Sequence, residues 1–532
     1  MLGFAPFGYW PVPIACLVVM LWLWHLHPAS RTAALLGFCF GAGHFLAGVS
    51  WVYVSLHTFG MMPAPLAAFA TLVFCLILAV YPAAVGALSA RWDVTRPSVA
   101  LVLVPGMWTS LEWLRGWFLT GFPWLSLGYS QIDTPLAGFA PIIGVYGISF
   151  LTVMVAGLVW LAVRSPMRIR WAALAIGIVI YASGAMLVRT TWTTRAGPGL
   201  DVALLQGNVP QELKFVPGRF ESTLALYTRL IEQTSARLIV LPETAIPRFQ
   251  DELPVAFVER VKMHALRNEG DVLVGLPTGD IRSRYFNSLL SIGSAPSQIY
   301  SKHHLVPFGE FIPTGFGWIE RVLAIPLSNF TAGPAAQRPL AIAGENVAIN
   351  ICYEDAFGTE IIRQLPAASL LVNVSNVAWF GDSLAPIQHL QIARMRALES
   401  GRFMLRATNS GVTAIIDERG RVIETLPAFT EGVLFGRVQG FQGATPYVRF
   451  GDSIVLAVLA GAAIVITWSW RRRSRSYSAV PPRDSHHDDA TDSTGSTNIC
   501  RVPSSRCAVV AGGETEALSR RSCPKYGAID RA

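Results

Sequence analysis

Charge is scarce in this chain. Asp, Glu, Lys and Arg make up 14% of its 532 residues, where soluble domains carry about 25%. Hydrophobic residues reach 52% and gather in long runs. That pattern excludes an ordinary soluble protein and points to a membrane one. Sixteen tryptophans fit the same reading, because indoles favour the bilayer interface. The formal charge of +8 is explained by arginines at the ends of apolar runs, so nucleic acid is not the expected partner.

Cysteine is equally uninformative as a framework. The seven lie at 16, 39, 75, 352, 500, 507 and 523. Three sit inside apolar runs, three in a polar tail, and Cys352 stands alone in the middle. There is no CxxC pair and no Cys/His metal spacing, so neither a disulfide scaffold nor a metal or other cofactor is expected. No internal repeat is visible. The opening MLGFAPFGYWP lacks a charged segment of its own, so it is not an ordinary signal peptide.

What is present begins with apolar runs near 10–26, 34–54, 65–90, 98–119, 137–163 and 171–189, with one more near 453–470. Most approach the ~17–25 residues a membrane helix needs. The connections holding Arg31, then Arg91 and Arg96, then Arg164, Arg168 and Arg170 alternate with connections nearly free of basic residues. The basic ones belong in the cytoplasm. Residues 190–452 then emerge on the opposite face, and the final helix returns RRRSRS (471–476) to the cytoplasm. This count leaves Met1 outside, through either an upstream helix absent from the sequence or a short translocated N-terminus. The expected organisation is a polytopic α-helical part over 1–195 (about six helices), an extracytoplasmic α/β domain over 196–445, a last membrane helix over 446–472, and a disordered cytoplasmic tail over 473–532.

Within 200–440, short β-type runs alternate with amphipathic helices. Strands are predicted in DVALLQGNV, RLIVLPE, DVLVGLPTG, NSLLSIG, VAINICYE and SLLVNVSN, with a hairpin turning at Arg419-Gly420. Helices are predicted near 219–235, 254–268 and 386–400.

Three strand ends in this domain finish in ionisable residues: LIVLPE in Glu243, IYSK in Lys302 with Glu310 close behind, and INIC in Cys352. A thiol beside Glu354 and Asp355 is an unpromising nucleophile, since neighbouring carboxylates raise its pKa. A lysine ammonium nearby would oppose them, and a glutamate could accept the thiol proton. The roles follow. Cys352 attacks a carbonyl and forms a thioester, Glu243 takes and returns the proton, and Lys302 stabilises the oxyanion with a backbone N–H.

At these residues the chain resembles the nitrilase (carbon–nitrogen hydrolase) superfamily, whose Glu-Lys-Cys triad sits on an α-β-β-α sandwich. The ordered set GFPWLSLGYSQ, LLQGNVPQELKF, LPETAIP, KHHLVPFGEFIP, ICYE, VNVSNVAWFGDS and QHLQIARMRALESGR resembles the apolipoprotein N-acyltransferases, from the first residues to about 470. The resemblance implies an inner-membrane bacterial enzyme, multi-pass and acting as a monomer, with its catalytic domain facing the periplasm. Its partners would be a phospholipid acyl donor, a diacylated apolipoprotein acceptor and the bilayer itself. The implied triad is Glu243, Lys302 and Cys352, supported by Glu310, Tyr353 and Glu354. Phe215, where the family often has tryptophan, and Trp124 in GFPW are the implied substrate contacts. Val377 stands where the family commonly has aspartate.

Less specific readings compete. His303 and His304, taken as strand neighbours, point to opposite faces and do not share a ligand. Glu112, His44 and Arg115 lie in or beside membrane helices and are expected to pair or snorkel. Trp108, Trp113 and Trp117 fit an interfacial belt. The alternative function is a membrane-tethered carbon–nitrogen hydrolase that passes the acyl group to water.

Overall fold

The computed structural model describes residues 1–315, 317 and 329–464. The expected tail and the end of the last apolar run lie outside the described residues. Among those described, four segments are long and apolar enough to cross a membrane: Ser30–Val49, Ala64–Ser89, Pro135–Arg164 and Met167–Val188. Pro11–Leu26 and Ser453–Ile464 are shorter apolar helices. Two of the spans meet almost backbone to backbone. A Cβ on Gly37 would stand 2.3 Å from the Pro82 carbonyl oxygen, and one on Gly86 would stand 2.2 Å from that of Ala33. Small residues are what permit such approach in a bilayer.

The 98–119 run does not form one uninterrupted span. A π turn over Val99–Leu103 feeds a helix over Val104–Arg115, which then ends. Arg115 explains the stop. It is 3% exposed, and its Nη1 donates to the carbonyls of Phe122 and Trp124, both at 2.6 Å. The chain therefore folds back, and Trp117, Phe118 and Leu119 are left exposed.

The α/β part starts at Thr194. One six-stranded sheet has the order β12-β1-β2-β3-β4-β5 and the other β11-β10-β9-β8-β7-β6. The first holds β1 (Thr194–Gln206), β2 (Leu238–Val240), β3 (Asp271–Gly279), β4 (Tyr285–Gly293), β5 (Ile299–Ser301) and β12 (Gly432–Gln442). The second holds β6 (Leu340–Ile342), β7 (Glu345–Ile351), β8 (Leu370–Ser375), β9 (Met404–Thr408), β10 (Thr413–Ile416) and β11 (Val422–Leu426). β1, β2 and β3 run parallel, as do β7, β8 and β9.

Alternation decides what each face meets. Val202, Leu204, Val240 and Leu273 pack on Val347, Ile349, Ile351, Val372 and Leu405, joining the sheets face to face. The opposite face of the first sheet, with Ala203, Leu205, Ile239 and Val272, buries Leu224, Tyr227, Phe257 and Val261 from the helices Phe220–Glu232 and Val255–Arg267. The outer face of the second sheet covers Ala393 and Ala397 of Ala385–Ser400. The result is an α-β-β-α sandwich. The expected hairpin is present: β10 and β11 pair antiparallel around Gly420, which takes φ +74°.

Candidate active site

Parallel strands collect their carboxyl ends along one edge, where ligand sites of such sheets form. The residue after β7 is Cys352, the third after β2 is Glu243, and the residue after β5 is Lys302. Cys352 turns out of the strand at φ +54°, a left-handed conformation that costs a non-glycine residue about 1–3 kcal/mol. Its carbonyl accepts from Asn373 Nδ2 at 3.1 Å. Glu243 sits in an equally tight turn. A Cβ on Gly275 in β3 would come within 2.2 Å of the Pro242 carbonyl oxygen, so only glycine lets β3 pass.

Glu243, Lys302 and Glu310 form one hydrogen-bonded group. Lys302 Nζ lies 3.3 Å from Glu243 Oε1, and 2.9 Å and 2.8 Å from the two Glu310 oxygens. Asn287 Nδ2 donates to Glu243 Oε1 at 2.7 Å and to Glu310 Oε1 at 2.9 Å. The backbone N–H of Asn376 donates to Glu243 Oε2 at 2.7 Å. Glu354 is a brace. It accepts from Ile351 N at 2.7 Å, from His303 N at 2.7 Å, from His304 N at 3.1 Å and from Tyr300 Oη. It thus ties the turn of Cys352 to the segment that carries Lys302.

The electrostatics refine the argument from sequence. Burial pushes the Cys352 thiol up, Glu243, Glu310 and Asp355 push it further, and Lys302 alone among these opposes them. The lysine acts in the expected direction but does not win, so Cys352 rests as a thiol. For Glu243, burial disfavours the charge, yet Lys302, the Asn287 amide, the Asn376 N–H and Lys214 outweigh it and hold the carboxyl below its ordinary range. A protonated thiol beside an ionised carboxylate requires proton transfer to accompany attack.

The first 158 residues match the family of apolipoprotein N-acyltransferase N-terminal domains, and residues 201–447 match the carbon–nitrogen hydrolase family. A Nitrosomonas europaea protein named apolipoprotein N-acyltransferase is 48% identical over 481 residues, covering 89% of this chain and 96% of that protein. A Ralstonia nicotianae protein of the same name is 44% identical, covering 89% and 91%. The chain belongs to the apolipoprotein N-acyltransferase family.

In this family member the membrane half touches the site directly. Tyr353 Oη donates to the carbonyl of Gly121 at 2.9 Å. Trp124, 1% exposed, donates from Nε1 to Gln388 Oε1 at 2.7 Å, and Trp51 reaches the same oxygen at 3.2 Å. Glu399 accepts from the backbone N–H of Val145 at 2.7 Å. Gln388 and Glu399 lie on one helix, Ala385–Ser400, which therefore links the membrane bundle to the second sheet. Phe215 is half-buried beside Lys214.

One expectation changes. β5 ends at Ser301, so His303 and His304 are not on a strand. His304 instead stacks on Phe357, with ring centroids 3.7 Å apart, and its Nδ1 lies 3.1 Å from Glu360 Oε1. His303 Nδ1 lies 2.9 Å from the Gly333 carbonyl. Sequence reasoning also passed over Asn287, Asn376, Lys214 and a buried group behind Cys352. In that group His389 Nε2 lies 2.6 Å from Asp355 Oδ1, and Arg406 Nη1 donates to Asp355 Oδ2 at 3.0 Å and to Asn373 Oδ1. A signal existed. Asn373 and Ser375 are polar residues inside the buried strand LLVNVS, every position of which is buried, and buried polar groups need partners.

Proposed function

We propose that this chain moves a fatty acyl group from a phospholipid to the N-terminal α-amine of a diacylglyceryl-cysteine apolipoprotein, through a thioester on Cys352. The observation that carries the reading is the convergence of Glu243, Lys302 and Cys352 on strand ends that abut the 121–124 loop of the membrane half. A tether alone would not need that contact.

In the first half-reaction the Cys352 sulfur attacks the ester carbonyl while Glu243 takes the thiol proton. The tetrahedral intermediate collapses, the lysophospholipid alkoxide leaves, and Glu243 returns the proton to it. In the second, the neutral α-amine attacks the thioester and gives a proton to Glu243. The leaving thiolate recovers that proton, and the triacylated lipoprotein departs. Glu310 holds Lys302, while Glu354 and Tyr353 fix the nucleophile turn. Phe215 and Trp124 flank the acyl donor. The enzyme acts as a monomer in the bacterial inner membrane, with this cleft on the periplasmic side, as the alternating basic connections support.

Intact-mass spectrometry tests the scheme. After incubation with phospholipid, the protein gains one acyl mass on Cys352, removable by hydroxylamine, and a diacylated lipopeptide discharges it with N-acylation. Ammonia release from amides without lipopeptide acylation would instead favour the tethered hydrolase.

A further inference from the structure

Two lysines face Glu243, and the scheme above uses one. The chain has four lysines in all, at 214, 262, 302 and 525, among 42 basic residues. Half of them meet at a single carboxylate-bearing turn. Lys214 follows the short turn Gln211–Leu213 and is 3% exposed. Its Nζ donates to the backbone carbonyl of Glu243 at 3.2 Å, and among the described residues that is its one hydrogen-bond partner. An ammonium has three protons to donate, so two remain uncommitted. Lys302 differs. Its protons are shared between the Glu243 and Glu310 carboxylates, which also offset its charge.

The tetrahedral intermediate places a full negative charge on the former carbonyl oxygen. By then Glu243 carries the transferred proton, so Lys302 is balanced by Glu310 and the oxyanion is left uncompensated. Lys214 supplies the matching positive charge. Lys214 is also held in advance. Gln211 accepts from Asn376 Nδ2 at 2.8 Å, while the Asn376 backbone donates to Glu243. Asn409 brackets the same segment, accepting from Val209 N and donating to its carbonyl. Donors fixed before the reaction are the effective ones.

We propose that Lys214 is a catalytic residue whose uncommitted ammonium protons bind the tetrahedral oxyanion in both half-reactions. This role stands beside that of Lys302, whose protons are shared with Glu243 and Glu310. It rests on the acyl-transfer reading. The charge of Lys214 acts on Cys352 as well as on Glu243, as a cation beside the reacting atoms should. No proton moves to the oxyanion. The charge is held until the carbonyl reforms.

The test uses the full-length protein in detergent micelles with Lys214→Gln, which keeps an N–H for the Glu243 carbonyl and removes the charge. Thioester formation is followed in single turnovers, with KM and kcat measured separately for phospholipid. The expected result is a loss of about 10²–10³-fold in kcat, the usual effect of one oxyanion donor, with KM within about threefold. A rate within about threefold of wild type overturns the proposal. So does a loss confined to KM, which would make Lys214 a headgroup contact. Should Lys214→Gln not fold, Lys214→Met, which keeps the buried stem, is read in its place. Wild-type protein that forms no thioester overturns the acyl-transfer reading instead, so the two failures are distinct.

Discussion

Replacing Glu354 by glutamine should disable the nucleophile without touching it. Three backbone N–H groups and the Tyr300 hydroxyl converge on this one carboxylate, which is 3% exposed. Every contact is with a donor, so both oxygens must accept. Glutamine has one oxygen. If it faces His303 and His304, its NH2 meets the Ile351 N–H, one residue before Cys352. If reversed, two N–H groups beside Lys302 lose their acceptor. At least one buried N–H is left unsatisfied, at about 1–3 kcal/mol, and the remaining bonds lose their charge assistance. Burial pushes the Glu354 carboxyl up, so the neutral amide recovers part of that cost. The net loss of stability is then about 1–3 kcal/mol. The rate is the sharper readout, because the recovered solvation does nothing for geometry. A displacement of about 1 Å between reacting groups costs about 10²-fold. Single-turnover thioester formation, measured well below the thermal transition of the variant, should fall by that order. A folded Glu354→Gln protein that acylates at the wild-type rate would refute the brace.

Three further outcomes follow from the same contacts. Glu243 is held below the ordinary carboxylate range, so it stays ionised as pH falls, and its stabilising contribution is lost only as pH drops through that depressed value. Thioester formation should therefore be level between about pH 5 and 7, and a rate falling steadily from neutrality would count against Glu243 as base. Burial pushes the Lys214 ammonium down to about 8, against the pull of Glu243 and Cys352. As pH rises through that value the cation is lost, so the acylation rate should show an alkaline limb near pH 8 that Lys214→Gln lacks. Tyr353→Phe removes the bond to the Gly121 carbonyl, worth about 1 kcal/mol. Phospholipid KM should rise several-fold with the melting transition barely moved, and an unchanged KM would separate the 121–124 loop from donor binding.

Much of the domain was legible because its elements carry strong local signals. The helices predicted near 219–235, 254–268 and 386–400 are found at Phe220–Glu232, Val255–Arg267 and Ala385–Ser400. The predicted strands are present, whereas β6, β9 and β12 were not read. β12 is interrupted by Gly436 and Gly440, and its exposed Phe435 blurs the alternation. The 98–119 run was read as one helix because Arg115 resembles a snorkelling residue at a membrane surface. Its buried bonds to Phe122 and Trp124 depend on a loop that periodicity does not register.

The residue types at strand ends were enough to nominate Glu243, Lys302 and Cys352, because a strand that stops at a charged group states its own boundary. How the charges balance was decided elsewhere. Whether Lys302 or burial governs the thiol depends on which carboxylates fold in beside it, and Glu243 and Glu310 arrive from 109 and 42 residues upstream of Cys352. Lys214 stands in a loop that no pattern distinguishes from a solvated one, and only the packing of that loop against the Glu243 turn removes it from water. Order along a chain specifies local conformation and the identity of each group. Electrostatic roles come from distances and dielectric surroundings, and those exist only once the sheets have closed on each other.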